Sequence, residues 1–293
     1  MKQNPSFVFF GTPDISVIVL EELKKTGLIP TLIVTAPDKP QGRGLKITPS
    51  SVKQWALDMN IPVLTPHRLK DETFLADLDP NKHGIEKWDL FVVVAYGKII
   101  PQSVLDIPKF GTLNLHPSLL PKYRGPSPIQ TAILNNDKNT GVSIMLLDAQ
   151  MDHGPLIVQK HFPIPEDQWP LSSQKAHRDF FKAGGELLGH TIPLWVSNKI
   201  HATEQDHSQA TYSKLIQKEE ARISLSDDPY INFLKIRAYD IWPRAYFIET
   251  LQGKKTKVTI TDAIYHNDTL IVRKVIPEGK KEMPYEDFIR NKA

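Results

Sequence analysis

Residues 7–10 are an unbroken apolar run, Phe7-Val8-Phe9-Phe10, the pattern of a strand covered on both faces. The run stops at Gly11-Thr12-Pro13. Asp14 is placed to cap a helix whose apolar positions include Val17, Leu20 and Leu23, and Gly27 to close it. Residues 31–35 are the next β-rich stretch, so the opening reads as a βαβ unit. Ser50 or Ser51 predicts the start of a helix that runs to about residue 59. A short strand at 61–64 and a helix at 71–78 follow. The run Leu90-Phe91-Val92-Val93-Val94-Ala95-Tyr96 predicts a second buried strand, ended by Gly97, with a helix near 103–106. Residues 112–115 are β-prone. A helix at 128–134, a strand at 140–147, a polar turn at 148–154 and a returning strand at 155–159 complete the middle of the chain.

Residues 172–195 carry long helical patterning, with Phe180, Phe181, Leu187 and Leu188 on core positions and Gly184-Gly185 expected to weaken or bend it. Beyond a polar stretch, short β-rich segments recur at 242–249, 257–261 and 269–275, separated by glycine and asparagine turns, which suggests a small β-barrel. The alternation predicts an α/β fold, a doubly wound, mainly parallel, Rossmann-like sheet with helices on both faces, followed by a smaller C-terminal β domain. The expected division is 1–197 for a catalytic domain, 198–212 for a linker and 213–293 for the C-terminal domain.

The turn after the first strand, Gly11-Thr12-Pro13-Asp14, lacks the G-x-G-x-x-G spacing that lets backbone approach a pyrophosphate, and no Walker A pattern occurs. Dinucleotide binding is therefore not expected. The 293 residues contain no cysteine, which excludes disulfides, thiolate metal sites and a cysteine nucleophile, and fits a reducing cytoplasm. A net charge of +3 is too small for a protein that coats nucleic acid, so any such contact must be a local patch. No apolar run reaches membrane-spanning length and no secretory signal opens the sequence. No metal is expected.

The candidate chemistry sits at the end of the 112–115 run. Residues two apart on a strand point to one face, so Asn114 and His116 can project into one cleft, and Pro117 favours extended geometry at His116. An open α/β sheet uses the C-terminal edge of its strands for ligands. Asp152, in the turn before Gly154, could meet His116 there to orient or charge it. Taken singly, each residue also has a structural reading: Asn-x-His a packed pair, Asp152 a turn cap.

Taken together, Asn114-x-His116-x-Ser118-Leu119-Leu120-Pro121 followed by Asp152-His153-Gly154 resembles the formyltransferases that use 10-formyltetrahydrofolate. Further stretches are similar to the methionyl-tRNA branch of that family: Phe10-Gly11-Thr12-Pro13-Asp14, Pro37-Asp38-Lys39-Pro40 with Gly42-Arg43-Gly44, Tyr123-Arg124-Gly125, Lys218-Glu219-Glu220-Ala221-Arg222-Ile223, and Trp242-Pro243-Arg244-Ala245-Tyr246-Phe247. The likeness covers nearly the whole chain. His153 stands where the family commonly has Thr, Arg244 where Gly is usual, and Pro126-Ser127 where two small residues are common.

The resemblance implies a catalytic trio of Asn114, His116 and Asp152. It implies a folate site at Ser118, Leu119, Leu120 and Pro121 with Val94, Ala95 and Tyr96, and an open, OB-like barrel as the second domain. The donor implied is 10-formyltetrahydrofolate and the acceptor partner initiator methionyl-tRNA. Residues 37–49 read as a proline- and glycine-rich loop carrying Lys39, Arg43 and Lys46, either a solvated surface loop or a mobile arm that grips phosphates. Lys254 and Lys255 lead a basic run in the C-terminal domain that could face tRNA, or simply be solvated turn charge. A cytoplasmic monomer is expected. A sugar-amine formyltransferase would share the trio without needing the basic residues, and an RNA-binding module with a degenerate site is the alternative outside enzymes.

Overall fold

The computed structural model describes residues 4–41, 44–251 and 253–290. In chain order, β1 (Phe7–Gly11), α1 (Asp14–Lys25) and β2 (Leu32–Val34) form the expected βαβ unit. A hairpin of β3 (Lys39–Gln41) and β4 (Lys46–Thr48), α2 (Ser51–Asp58), β5 (Val63–Leu64) and α3 (Glu72–Asp77) follow. Then come β6 (Leu90–Val94), α4 (Gln102–Leu105), β7 (Thr112–His116), α5 (Pro128–Leu134), β8 (Gly141–Leu146), β9 (Leu156–His161) and α6 (Ser173–Val196). The C-terminal part holds α7 (Pro229–Ala238), β10 (Tyr246–Leu251), β11 (Lys254–His266), β12 (Thr269–Pro277), β13 (Met283–Pro284) and α8 (Tyr285–Arg290).

The main sheet has seven strands in the order β5-β2-β1-β6-β7-β8-β9. Pairing is parallel from β5 to β7, and β8 and β9 add antiparallel. The order reverses direction at β1, so the crevice at the C-terminal ends of β1, β6 and β7 is where such sheets receive ligands. β1 and β6 are buried at every position, which is why they read as continuous apolar runs rather than alternating ones. The Ser50 hydroxyl accepts from the Lys53 amide and caps α2, as its sequence predicts. Asp14 does not cap α1. Pro13 occupies the cap position and Asp14 lies in the first turn, near the positive end of the helix dipole.

Within the stretch read as a plain loop, residues 39–41 and 46–48 pair as antiparallel strands: Lys39 pairs with Thr48 and Gln41 with Lys46. Pro40 is tolerated because it lies in an isolated ribbon where a missing amide donor costs little. α6 runs from Ser173 to Val196 with Gly184 and Gly185 inside it. A Cβ on Gly184 would stand 2.5 Å from Leu115 Cδ1, so the glycine is spent on letting the helix lie close against β7.

The chain forms two compact units, and neither is one continuous stretch. The first contains residues 1–124, 141–162 and 178–211, the second residues 125–140, 163–177 and 212–293. Of residues 198–212, read from sequence as a linker, 198–211 group with the first unit: Thr203 bridges Leu156 through reciprocal backbone hydrogen bonds of 2.8 Å, and Gln205 is buried. In the second unit the strands form an antiparallel sheet in the order β10-β11-β12-β13. Val258, Ile260, Val275, Phe247 and Phe288 build its core, and α5 packs on α7. Among the described residues, no helix is long and apolar enough to cross a membrane.

Candidate active site

β7 runs through His116, so Thr112, Asn114 and His116 share one face while Leu113 and Leu115 are buried on the other. The register aligns Asn114 with Val93 of β6 and with Met145 of β8, and His116 with Ser143. Asn114 is half-buried and His116 is only 4% exposed. The His116 ring is held through one nitrogen and faces a carboxylate with the other. Its Nε2 lies 3.0 Å from the Tyr123 carbonyl, which can only accept, so Nε2 carries a proton. Its Nδ1 faces Asp152, 3.6 Å from Oδ1. That separation is beyond a formed hydrogen bond but within ion-pair range, so a small approach would join the two.

Asp152 is brought there by the β8–β9 connection. Its φ of 49° is left-handed, an uncommon conformation for a residue other than glycine. Two more residues flanking the site share it, Ala95 at 49° and Tyr123 at 58°. Such backbone persists only where surrounding contacts over-determine it, and it clusters at working sites. Gly154, two residues on, leaves no room for a side chain: a Cβ there would sit 2.1 Å from the Leu146 carbonyl oxygen.

The 118–121 segment is buried and braced. The Ser118 hydroxyl donates to the Lys122 carbonyl at 2.6 Å, and the Ser143 hydroxyl donates to the Ser118 carbonyl at 2.6 Å. Ser143 also accepts from the Leu120 amide, and Gln159 donates to the Leu120 carbonyl. Ser118 and Leu120 are buried, Leu119 and Pro121 half-buried. On β6, the Val94 carbonyl accepts from the Ser16 hydroxyl. Tyr96 is buried against Phe10, its hydroxyl has no hydrogen-bond partner among the described residues, and burial pushes its ionisation up to about 12.

Lys39 and Lys46 are exposed on the hairpin, whose Leu45 and Ile47 are exposed as well. Arg43 lies outside the described residues. Lys98, which the sequence did not single out, donates to the Pro66 and His67 carbonyls; burial, then the charge of Lys39, holds its pKa below the usual lysine value. In the second unit Lys254 and Lys255 are exposed at the start of β11, whereas Arg273 pairs with Asp262 and Lys274 with Glu282.

Residues 6–184 match the family model described as formyl transferase. The chain belongs to the formyl transferase family. This formyltransferase is 37% identical over 306 residues to a methionyl-tRNA formyltransferase of Roseiflexus castenholzii, covering 97% of this chain and 95% of that protein. Among solved structures, it superposes with TM-score 0.60 on the methionyl-tRNA formyltransferase of Clostridium thermocellum, at 16% identity, covering 93% of this chain and 98% of that one. It superposes with TM-score 0.61 on an N-formyltransferase of Helicobacter canadensis in complex with folinic acid and dTDP-3-aminofucose, at 19% identity, covering 92% and 95%. At these identities the two structures speak for the fold of the formyltransferase alone.

The sequence missed the shell that holds its own candidates in place: Ser143, Gln159, Gln205 and the buried Arg124 side chain. Only Arg124 carried a signal, as part of the Tyr123-Arg124-Gly125 motif.

Proposed function

We propose that this formyltransferase moves a formyl group from 10-formyltetrahydrofolate to the α-amine of methionine carried on initiator tRNA. The observation that carries the reading is the approach of His116 Nδ1 to Asp152 Oδ1, 3.6 Å, at the C-terminal edge of the sheet in the strand that also presents Asn114. The choice of acceptor rests on the likeness to the Roseiflexus castenholzii enzyme over 97% of this chain. The donor supplies an activated formyl carbon. The segments expected to hold it, Ser118 to Pro121 and Val94 to Tyr96, lie at the same sheet edge, and the unpartnered Tyr96 hydroxyl is a buried donor that a polar ligand would satisfy.

The residues then divide the work. As the amine adds to the formyl carbon, negative charge grows on the formyl oxygen, and the Asn114 amide stabilises it. With Nε2 committed to the Tyr123 carbonyl, Nδ1 is the ring atom that takes the proton from the amine and passes it towards the departing folate nitrogen. Asp152 stands against the ring and orients it. Lys39, Arg43, Lys46, Lys254 and Lys255 are the candidate phosphate contacts for the tRNA.

Purified protein with a radiolabelled formyl donor should label charged initiator tRNA and leave both uncharged tRNA and a nucleotide-linked amino sugar unlabelled. Labelling of the amino sugar at a comparable rate would move the assignment to small amines. No labelling of any acceptor would remove it from this reaction. Arg43→Ala should depress transfer to the charged tRNA.

A further inference from the structure

Asp152 owes its position to a side chain far along the sequence. The Gln205 amide, 4% exposed, donates from Nε2 to two carbonyls of the Asp152 turn, Asp152 O at 2.9 Å and Gly154 O at 2.7 Å. Its orientation is fixed chemically. Gln205 Oε1 accepts from Arg124 Nε at 3.2 Å and Nη2 at 2.7 Å, and a guanidinium has only donors to offer, so oxygen faces the arginine and nitrogen the turn. Arg124 Nη2 also reaches His207 Nδ1 at 2.8 Å, which that ring nitrogen can only accept. The His207 ring stacks on His153 at 4.1 Å, and His153 Nδ1 meets Asp148 Oδ2 at 2.7 Å. The same segment holds the other partner. Thr211 binds the Tyr123 amide through Oγ1 and the Arg124 amide through its carbonyl, and Tyr123 is the residue whose carbonyl holds His116.

We propose that Gln205 is a positioning residue for the formyl transfer. It clamps the left-handed Asp152 backbone so that the carboxylate stands against His116, and it touches neither substrate. The inference rests on the catalytic reading of Asp152 and His116. Two neighbouring carbonyls fixed by one buried amide leave the turn little freedom to rotate, and a displacement of the order of 1 Å at a reacting group costs roughly a hundredfold in rate.

The test is steady-state formyl transfer by the full chain with Gln205→Ala, Gln205→Glu, Asp152→Asn and the double variant Gln205→Ala/Asp152→Asn. Gln205→Glu keeps the acceptor for Arg124 but points an oxygen at the turn carbonyls. Both Gln205 variants should lose roughly 10- to 100-fold in kcat, with KM for donor and acceptor within about twofold of the parent. In the Asp152→Asn background, Gln205→Ala should cost nothing more, because the clamp acts only through that carboxylate. The pH profile of kcat should move in Gln205→Glu while its circular dichroism and melting profile stay those of the parent. Full activity of Gln205→Glu, additive losses in the double variant, or KM changes that account for the loss would each overturn the proposal. Full activity of Asp152→Asn would instead overturn the catalytic reading beneath it.

Discussion

His116 and Tyr123 meet through a hydrogen bond in which the ring Nε2 donates to the main-chain carbonyl at 3.0 Å. That one contact decides the chemistry available to the imidazole. A carbonyl cannot give a proton back, so Nε2 is held as a donor and Nδ1 becomes the basic atom, on the side where Asp152 stands. His116→Ala should therefore reduce formyl transfer by several orders of magnitude. In the proposed mechanism Asn114→Ala removes one donor from the developing oxyanion, worth roughly 3 kcal/mol, and should lower kcat about a hundredfold with little change in KM. Steady-state kinetics with charged initiator tRNA measure both, and near-parental turnover by His116→Ala would defeat the assignment.

Gly154→Ala should damage fold and rate together. The added Cβ would stand 2.1 Å from the Leu146 carbonyl oxygen, so strand or turn must move. Overpacking of this kind costs about 1–3 kcal/mol, and the displaced turn carries Asp152. Urea unfolding should show a lower midpoint and kcat should fall; an unchanged midpoint would mean that the turn yields without strain.

Tyr96→Phe separates stability from binding. A buried hydroxyl without a partner costs about 1–3 kcal/mol, so its removal should raise the melting temperature at neutral pH. The linkage has a definite sign. The folded-state value, pushed up to about 12, exceeds the unfolded value near 10, so the stability tied to the protonated phenol is complete below about pH 10 and is lost as pH rises towards 12. That alkaline loss should shrink in Tyr96→Phe. If the hydroxyl also meets the donor, KM for the folate should rise in the same variant.

Arg244→Gly should stabilise the protein. Arg244 is exposed with φ of 69°, a left-handed backbone that costs a residue with a side chain about 1–2 kcal/mol. Glycine returns part of this gain through its freer unfolded chain, leaving a net of about 0.5–1 kcal/mol. Differential scanning calorimetry would register a rise of a few degrees; a fall would show that the arginine side chain makes up the strain. The sequence pointed here already, because glycine is usual at this position in the family it resembles.

Where information is local, the sequence was legible. The buried runs of β1 and β6, the Ser50 cap and the alternation that sets Asn114 and His116 on one face all follow from spacing. Where two distant segments meet, it was not. Gly184 read as a weakness because nothing near it announces that Leu115 lies against it. Gln205 looked like linker because its partners Arg124 and Asp152 are 81 and 53 residues away. The helix α7 went unseen because its buried residues, Asn232, Leu234, Ile236 and Ala238, fall two apart, the spacing of a strand. The hairpin of β3 and β4 was hidden by its prolines and glycines.

The second compact unit takes α5 from mid-chain and seats it against α7. A nascent chain emerging from the ribosome must therefore carry α5, with its apolar Ile129 and Ile133, unmatched until α7 appears on the order of a hundred residues later. At usual elongation rates that wait lasts about 5–20 seconds, long enough for a chaperone to bind. It also means that cutting the gene after residue 211 would leave α5 orphaned in the first fragment and the second fragment short of part of its own unit.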